Sequence, residues 1–208
     1  FLNSEDGSLL YDVIKSVAKA YNWKNFYSDP KQKNTEEVVV VPDNILESYK
    51  GIYLFEGQWA AIEQRGSEYK FYTDGRSAKM YFTSTTRFFN LEFQAVKEFV
   101  KDKKGQVIGY TRTVEGKQFP NAVKVTNPDK LTLSVHDFGN IGWYLLERKE
   151  AKEALPYFKR AVKLYPHDLN AKLNLAHAYL FNNDYKSAIA IYKAHMNELI
   201  RPEFTWAE

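Results

Sequence analysis

The chain of 208 residues contains no cysteine. Disulfides, thiolate metal sites and cysteine nucleophiles are therefore excluded. Histidine is scarce, and His136, His167, His177 and His195 form neither His-Glu-x-x-His nor another metal-ligand spacing. With no glycine-rich phosphate loop either, no metal or cofactor site is expected. Neither sign of charge dominates: 29 Lys and Arg are interleaved with 26 Asp and Glu, for a formal charge of +3. Lacking a dense basic stripe, the chain does not read as a nucleic-acid binder. No apolar run approaches the ~18 residues of a membrane-spanning helix. No signal peptide is visible, and because the chain starts at Phe1 rather than Met, its true N-terminus is expected to be missing. What the chain has in quantity is aromatic residues, at 16%. They supply enough apolar material for one large or two small domains.

Near the C-terminus, Gly142, Leu145, Ala154, Phe158 and Ala161 recur 34 positions later as Ala176, Tyr179, Ala188, Tyr192 and His195. In the first four pairs small stays small and large stays large; the fifth breaks the rule. A period of ~34 marks a helix–turn–helix repeat. The pattern resembles the tetratricopeptide family. The first copy runs about 135–168, with Pro166 where the family commonly carries a helix-stopping proline, and the second about 169–202. Trp206 stands where a third copy would place its first aromatic.

The resemblance implies that the first helix of each copy lines a binding face. By repeat position, that face exposes His136, Gly139, Trp143, Leu146 and Glu147, then Leu173, Asn174, His177, Leu180 and Phe181. The partner-binding candidates among them are His136, Trp143, Glu147, Leu173, Asn174, His177, Leu180 and Phe181. Asn174 matches one residue of the family's carboxylate clamp, but Gly139 and Trp143 replace the clamp's lysine and asparagine. An aromatic, apolar groove suits an apolar helix of a protein or peptide partner, or the chain's own β module.

Upstream, residues about 7–22 read as one amphipathic helix, with Leu9, Leu10, Val13, Ile14, Val17, Ala18 and Tyr21 at i, i+3, i+4 spacing. The next stretch is linker-like, punctuated by Asp29-Pro30, polar Lys31–Asn34 and Pro42-Asp43; Val38–Val41 is a candidate edge strand. From about 47 to 127, short aromatic and β-branched runs alternate with turn signals such as Asp74-Gly75, Lys103-Lys104-Gly105 and Glu115-Gly116. About eight hairpin-connected strands favour a closed or nearly closed antiparallel barrel, because closure removes edges. The expected fold class is α+β: an antiparallel barrel or sandwich-like module, then an α-helical repeat pair. Trp59, Phe71, Tyr81, Phe88, Phe89 and Phe93 could fill the barrel, which otherwise could hold one small ligand in the manner of a lipocalin.

Leu46-Glu47-Ser48-Tyr49-Lys50-Gly51-Ile52-Tyr53 resembles the L-x-x-Y-x-G-x-Y opening of an accessory β module found after the catalytic domain of many serine β-lactamase-like (penicillin-recognising) hydrolases. Phe99-Val100-Lys101-Asp102 and Gly105–Gly109 resemble its later F-x-x-D…G-x-V-x-G hairpin. Residues Asn3–Trp23 resemble the end of the hydrolase domain itself. The resemblance implies four parts: 1–30, the final helix of a missing hydrolase-like domain; 31–46, linker; 47–128, β module; 133–208, two tetratricopeptide repeats and the start of a third. It implies a non-catalytic accessory region that binds a partner or packs on the parent's own catalytic domain. It also favours a bacterial periplasm or envelope location, and hydrolase or peptidase activity in the parent. Within this chain Ser16-x-x-Lys19 and Ser67-x-x-Lys70 match the family's nucleophile string. Neither has the partner motifs that such chemistry needs, and no catalytic residue is assigned.

Overall fold

A computed structural model describes residues 8–23, 37–93, 95–114 and 116–198. Asn3, Asp29-Pro30, Lys31–Asn34, Trp206 and the side chains of Leu9 and Leu10 lie outside the described residues. The chain divides between Val125 and Thr126 into two compact units.

In the first unit, helix α1 spans Ser8–Ala20, and Val13, Ile14 and Val17 are exposed on it. A short helix α2, Asp43–Tyr49, replaces what read as the end of a linker. Nine antiparallel strands follow: β1 Gly51–Phe55, β2 Gln58–Arg65, β3 Glu68–Thr73, β4 Arg76–Lys79, β5 Tyr81–Phe82, β6 Arg87–Phe89, β7 Val96–Lys101, β8 Val107–Val114 and β9 Lys117–Lys124. Their order is β4-β3-β2-β1-β9-β8-β7-β6-β5. The two outermost strands are consecutive in the chain and joined through Met80, so the sheet curls into a nearly closed barrel. Asn90 Nδ2 donates to Lys79 O at 2.8 Å across the seam, while Met80 N–H to Tyr69 O, at 3.2 Å, continues the β3–β4 ladder. Residues 37–41 are not a strand; Val39 N–H instead donates to Phe82 O at 2.8 Å, engaging the β5 backbone.

Aromatic rings fill most of the barrel. Tyr49, Tyr53, Phe88 and Tyr110 are fully buried, and Phe99 stacks on Tyr49 at 3.6 Å between centroids and on Phe88 at 5.1 Å. Tyr49, Gly51, Tyr53, Phe99 and Asp102, which carried part of the hydrolase resemblance, have structural work here. Tyr53 Oη donates to Tyr49 O at 2.5 Å, clamping the helix-to-strand corner through Gly51, whose φ of +135° strains any residue with a Cβ. Asp102 accepts from Lys104 N and Gln106 N at 2.8 and 2.9 Å, shaping the β7–β8 turn. Pro120 sits inside β9, where the β8–β9 register shifts between Tyr110 and Arg112. A bulge is where a sheet tolerates proline.

The second unit is helical: α3 Val135–Glu147, α4 Ala151–Leu164, α5 Leu169–Phe181 and α6 Tyr185–His195. The 34-residue period extends to the helix ends. Ser134 caps α3 by accepting from Asp137 N at 3.1 Å, and Asp168 caps α5 by accepting from Ala171 N at 2.8 Å. Lys149 and Asn183 take the left-handed conformation that stops α3 and α5, with φ of +64° and +61°. Gly142, Ala154, Phe158, Ala161, Ala176 and Ala188 are all buried. A Cβ on Gly142 would run into the Phe158 ring, so small-against-large packing sets how closely α3 and α4 approach. The 126–134 segment, with a 3-10 turn at Pro128–Lys130, is pinned to α4 by Arg160 Nε donating to Leu131 O and Tyr165 Oη to Leu133 O, both at 2.7 Å.

Candidate interaction face on the helical repeat

The first helix of each repeat, α3 and α5, contributes to one surface. Equivalent positions on the two helices meet there. Trp143 and its repeat mate His177 lie 5.4 Å apart between ring centroids, and Tyr192 of α6 meets His177 edge-on at 5.7 Å. Trp143 Nε1–H donates to Asn174 Oδ1 at 3.0 Å. Gly139 lies beside this pair, where a Cβ would sit 3.4 Å from Asn174 Nδ2, an ordinary van der Waals contact. Asn174, the one residue shared with a carboxylate clamp, thus spends its carbonyl oxygen on the indole.

His136 is exposed, and its Nε2 lies 3.0 Å from Asn140 Nδ2. Glu147 is exposed at the end of α3, 3.9 Å from Arg148. Leu173, Asn174 and His177 are half-buried on α5, whereas Leu180 and Phe181 at its end are 40% and 54% exposed. Gly139 and Leu146, expected to be exposed, are buried. The glycine lies under the Asn174 amide, and Leu146 belongs to the inner stripe of α3. His136 and Asn140 at the start of α3 are polar, and the far end of the face joins apolar Leu180 and Phe181 to charged Glu147.

Residues 145–198 match the model of the tetratricopeptide repeat family. A tetratricopeptide repeat domain is found there. No curated protein matches the chain. The tetratricopeptide helices explain the fifth, rule-breaking pair of the period. His195 ends α6, the last described helix, and its Nδ1 lies 2.7 Å from Glu198 Oε1 rather than packing as Ala161 does.

The residues weighed for catalysis are not assembled into a site. Ser16 and Lys19 are exposed on α1, and Ser67 lies in the exposed β2–β3 turn with Lys70 on β3, so this second pair lacks the helical spacing of the nucleophile string. Among the described residues no cluster of three or more His, Asp or Glu could hold a metal, and no helix is long and apolar enough to cross a membrane.

Sequence reasoning missed a different constellation, in the barrel. Lys97 is 2% exposed, its Nζ is 4.4 Å from the Phe71 ring centroid, and Arg112 stands opposite it on β8. Burial, and secondarily the Arg112 charge, push the Lys97 ammonium down to about 7. The one available signal was phase: Lys97 shares the inward alternation of Phe99.

Proposed function

We propose that the tetratricopeptide pair is a docking module that holds an apolar helical segment of a protein partner against the α3/α5 face. The observation that carries this reading is the exposed Leu180–Phe181 end of that face, adjoining the Trp143–His177–Asn174 cluster. Exposed aromatic anchors beside a half-buried ring cluster are the usual energetic centre of an interface. The indole's own hydrogen bond preorganises the cluster, which lowers the ordering cost of binding. The chain itself acts as a non-catalytic interaction region.

The absence of cysteine gives a direct test. A single Glu147→Cys in the full chain, carrying a photo-crosslinker, should capture a partner segment with an apolar helical stripe. Adding Phe181→Ala should abolish that capture with the helical circular dichroism unchanged. Capture that persists after Phe181→Ala, or a captured segment that is acidic and extended, would sink the reading.

A second reading makes the partner the catalytic domain of a larger serine β-lactamase-like protein, with this chain as its accessory region. The order of the 46–53 and 99–109 motifs and the exposed Val13, Ile14 and Val17 of α1 support it. It predicts a native gene product well above 24.2 kDa that reacts with an active-site serine probe. A native product of this chain's own mass ends it.

A further inference from the structure

The inward face of β7 and β8 sets two cations directly opposite each other. Lys97 pairs with Arg112 in the β7–β8 register, and like charges so placed are unfavourable. Burial makes the arrangement costlier still, because a desolvated ammonium needs acceptors. Of the three donors on Lys97 Nζ, one reaches Asn90 Oδ1 at 3.0 Å. The rings of Phe71, Phe88 and Phe93, at 4.4, 5.5 and 5.7 Å, offset part of the charge. Among the described residues no carboxylate pairs with Lys97. Arg112 is also incompletely matched. Its guanidinium lies 4.5 Å from the Phe55 centroid and 3.5 Å from Glu56 through Nη2. Its buried Nε–H has no hydrogen-bond partner among the described residues.

Both cations line a cleft of about 180 Å³, together with Phe55, Phe71 and Phe93. A benzene-sized molecule fits an apolar cavity of roughly 150 Å³. We propose that this cleft binds a small organic monocarboxylate, its carboxylate between Lys97 Nζ and Arg112 Nε and its apolar body against Phe71 and Phe93. The two unmatched donor sets suit the two oxygens of one carboxylate. Gln58 and Thr73 add polar lining, but Phe55, Phe71, Phe93 and Ala95 give the cleft an apolar side that suits an organic body better than a strongly hydrated inorganic anion. Asp74 and Arg76 also line the cleft and set opposite charges there, so the surplus positive charge belongs to the Lys97–Arg112 pair.

Binding is linked to a proton. Among the described residues Arg112 on β8, Arg76 on β4 and Asp74 in the β3–β4 turn share the cleft with Lys97, Glu56 pairs with Arg112, and Tyr110 on β8 holds its proton because burial raises its pKa. Lys97 titrates at about 7 without an anion, and a bound carboxylate reverses part of the depression, so the ammonium form is favoured in the complex.

The full chain is titrated with benzoate, hexanoate and the neutral benzyl alcohol, reading the backbone amides of β7 and β8 and the Lys97 Nζ titration by NMR. At least one acid should saturate, shift those strands, raise the Lys97 pKa and bind more than about tenfold more tightly than benzyl alcohol. Lys97→Met and Arg112→Gln should each weaken the acid by about tenfold or more. Should Lys97→Met fail to fold, Arg112→Gln and the acid-versus-alcohol ratio decide. Equal binding of acid and alcohol, shifts confined to other strands, or no saturation by either acid near ~10 mM would overturn the proposal.

Discussion

The barrel and the helical repeat both bury aromatic rings, but the barrel stacks its core rings on one another whereas the repeat sets them against small residues and leaves others at its surface. In the barrel the core rings point inward and stack on one another, Tyr49 on Phe99 and Phe88 on Phe99, while Trp59, Tyr81 and Phe89, expected to fill it, lie outside that core cluster. In the repeat, large residues such as Phe138, Tyr144, Tyr157 and Phe158 are buried among small ones such as Ala154, Ala161, Ala176 and Ala188, and other large side chains such as Phe181, Tyr185 and Met196 remain exposed. A closed sheet must fill a volume that its topology has already enclosed. A helix pair needs only a few small-against-large contacts to set its spacing, and its remaining faces stay free for neighbours. The barrel therefore encloses its opposed cations, Lys97 and Arg112, and the repeat leaves large side chains at its surface.

The largest effect should come from breaking the stack. Phe99→Ala removes the ring that meets Tyr49, Phe88, Tyr53 and Tyr110. A buried Phe→Ala change costs about 3–5 kcal/mol. Near-ultraviolet circular dichroism and the barrel's methyl resonances should collapse while the helical signal near 222 nm persists. Simultaneous loss of the helical signal would show that the two units do not melt separately.

Next comes the buried lysine. Its folded pKa of about 7 lies below the ~10.4 of an unfolded lysine. Between those values the unfolded chain binds a proton that the folded chain does not, so stability rises with pH. Below pH ~7 both states are protonated and the full penalty stands. From pH ~7 to ~9 the barrel should gain about 2 kcal/mol by chemical denaturation, and Lys97→Met should flatten that slope. Above this window Tyr53 and Tyr110, whose pKa values burial raises, act in the opposite sense. A wild-type curve as flat as the variant's would show that Lys97 is not a buried proton-releasing group.

In the repeat, the matching core test is Gly142→Ala. Alanine gains up to ~1 kcal/mol of helix propensity over glycine, but its methyl meets the rigid Phe158 ring. Overpacking of that kind costs about 1–3 kcal/mol. The collision wins, with a net loss of about 1–2 kcal/mol read from the helical unfolding transition. A stabilised variant would mean that α3 and α4 can separate freely.

How much of this was legible follows from how local each feature is. The repeat could be read because its small and large positions, Gly142 and Phe158 among them, recur at one spacing, whereas the matching caps at Ser134 and Asp168 emerged only from the structure. The barrel was legible as a class but not strand by strand. Arg76–Lys79 is polar and only Ala78 on it is buried, so β4 left no alternation to find. Helix α2 was hidden because Asp43–Tyr49 is only two turns long and contributes chiefly Tyr49 to the core. The Lys97–Arg112 opposition depends on a register across the β7–β8 turn, which no local pattern encodes. On the repeat, the positions of Trp143, Asn174 and His177 on first helices followed from the period, but the Trp143–Asn174 hydrogen bond required the packed pair.

The smallest stability effect sharpens the contrast most. Phe181 is 54% exposed at the end of α5, so Phe181→Ala should change stability by less than about 0.5 kcal/mol, as for an ordinary surface position. Truncating an interface anchor, by contrast, costs about 2 kcal/mol or more of binding free energy. A ring that the fold does not need and a partner does should separate the two measurements, with thermal denaturation unchanged and crosslinking from Glu147→Cys lost. The alternative is that Phe181 seals an internal interface, in which case Phe181→Ala lowers the melting temperature and capture together. The same pair of readings on Phe99→Ala moves only stability, because that ring is enclosed. The outcome at residue 181 thus decides whether the outward rings of the repeat are a surface kept for binding or a core that this chain only partly covers.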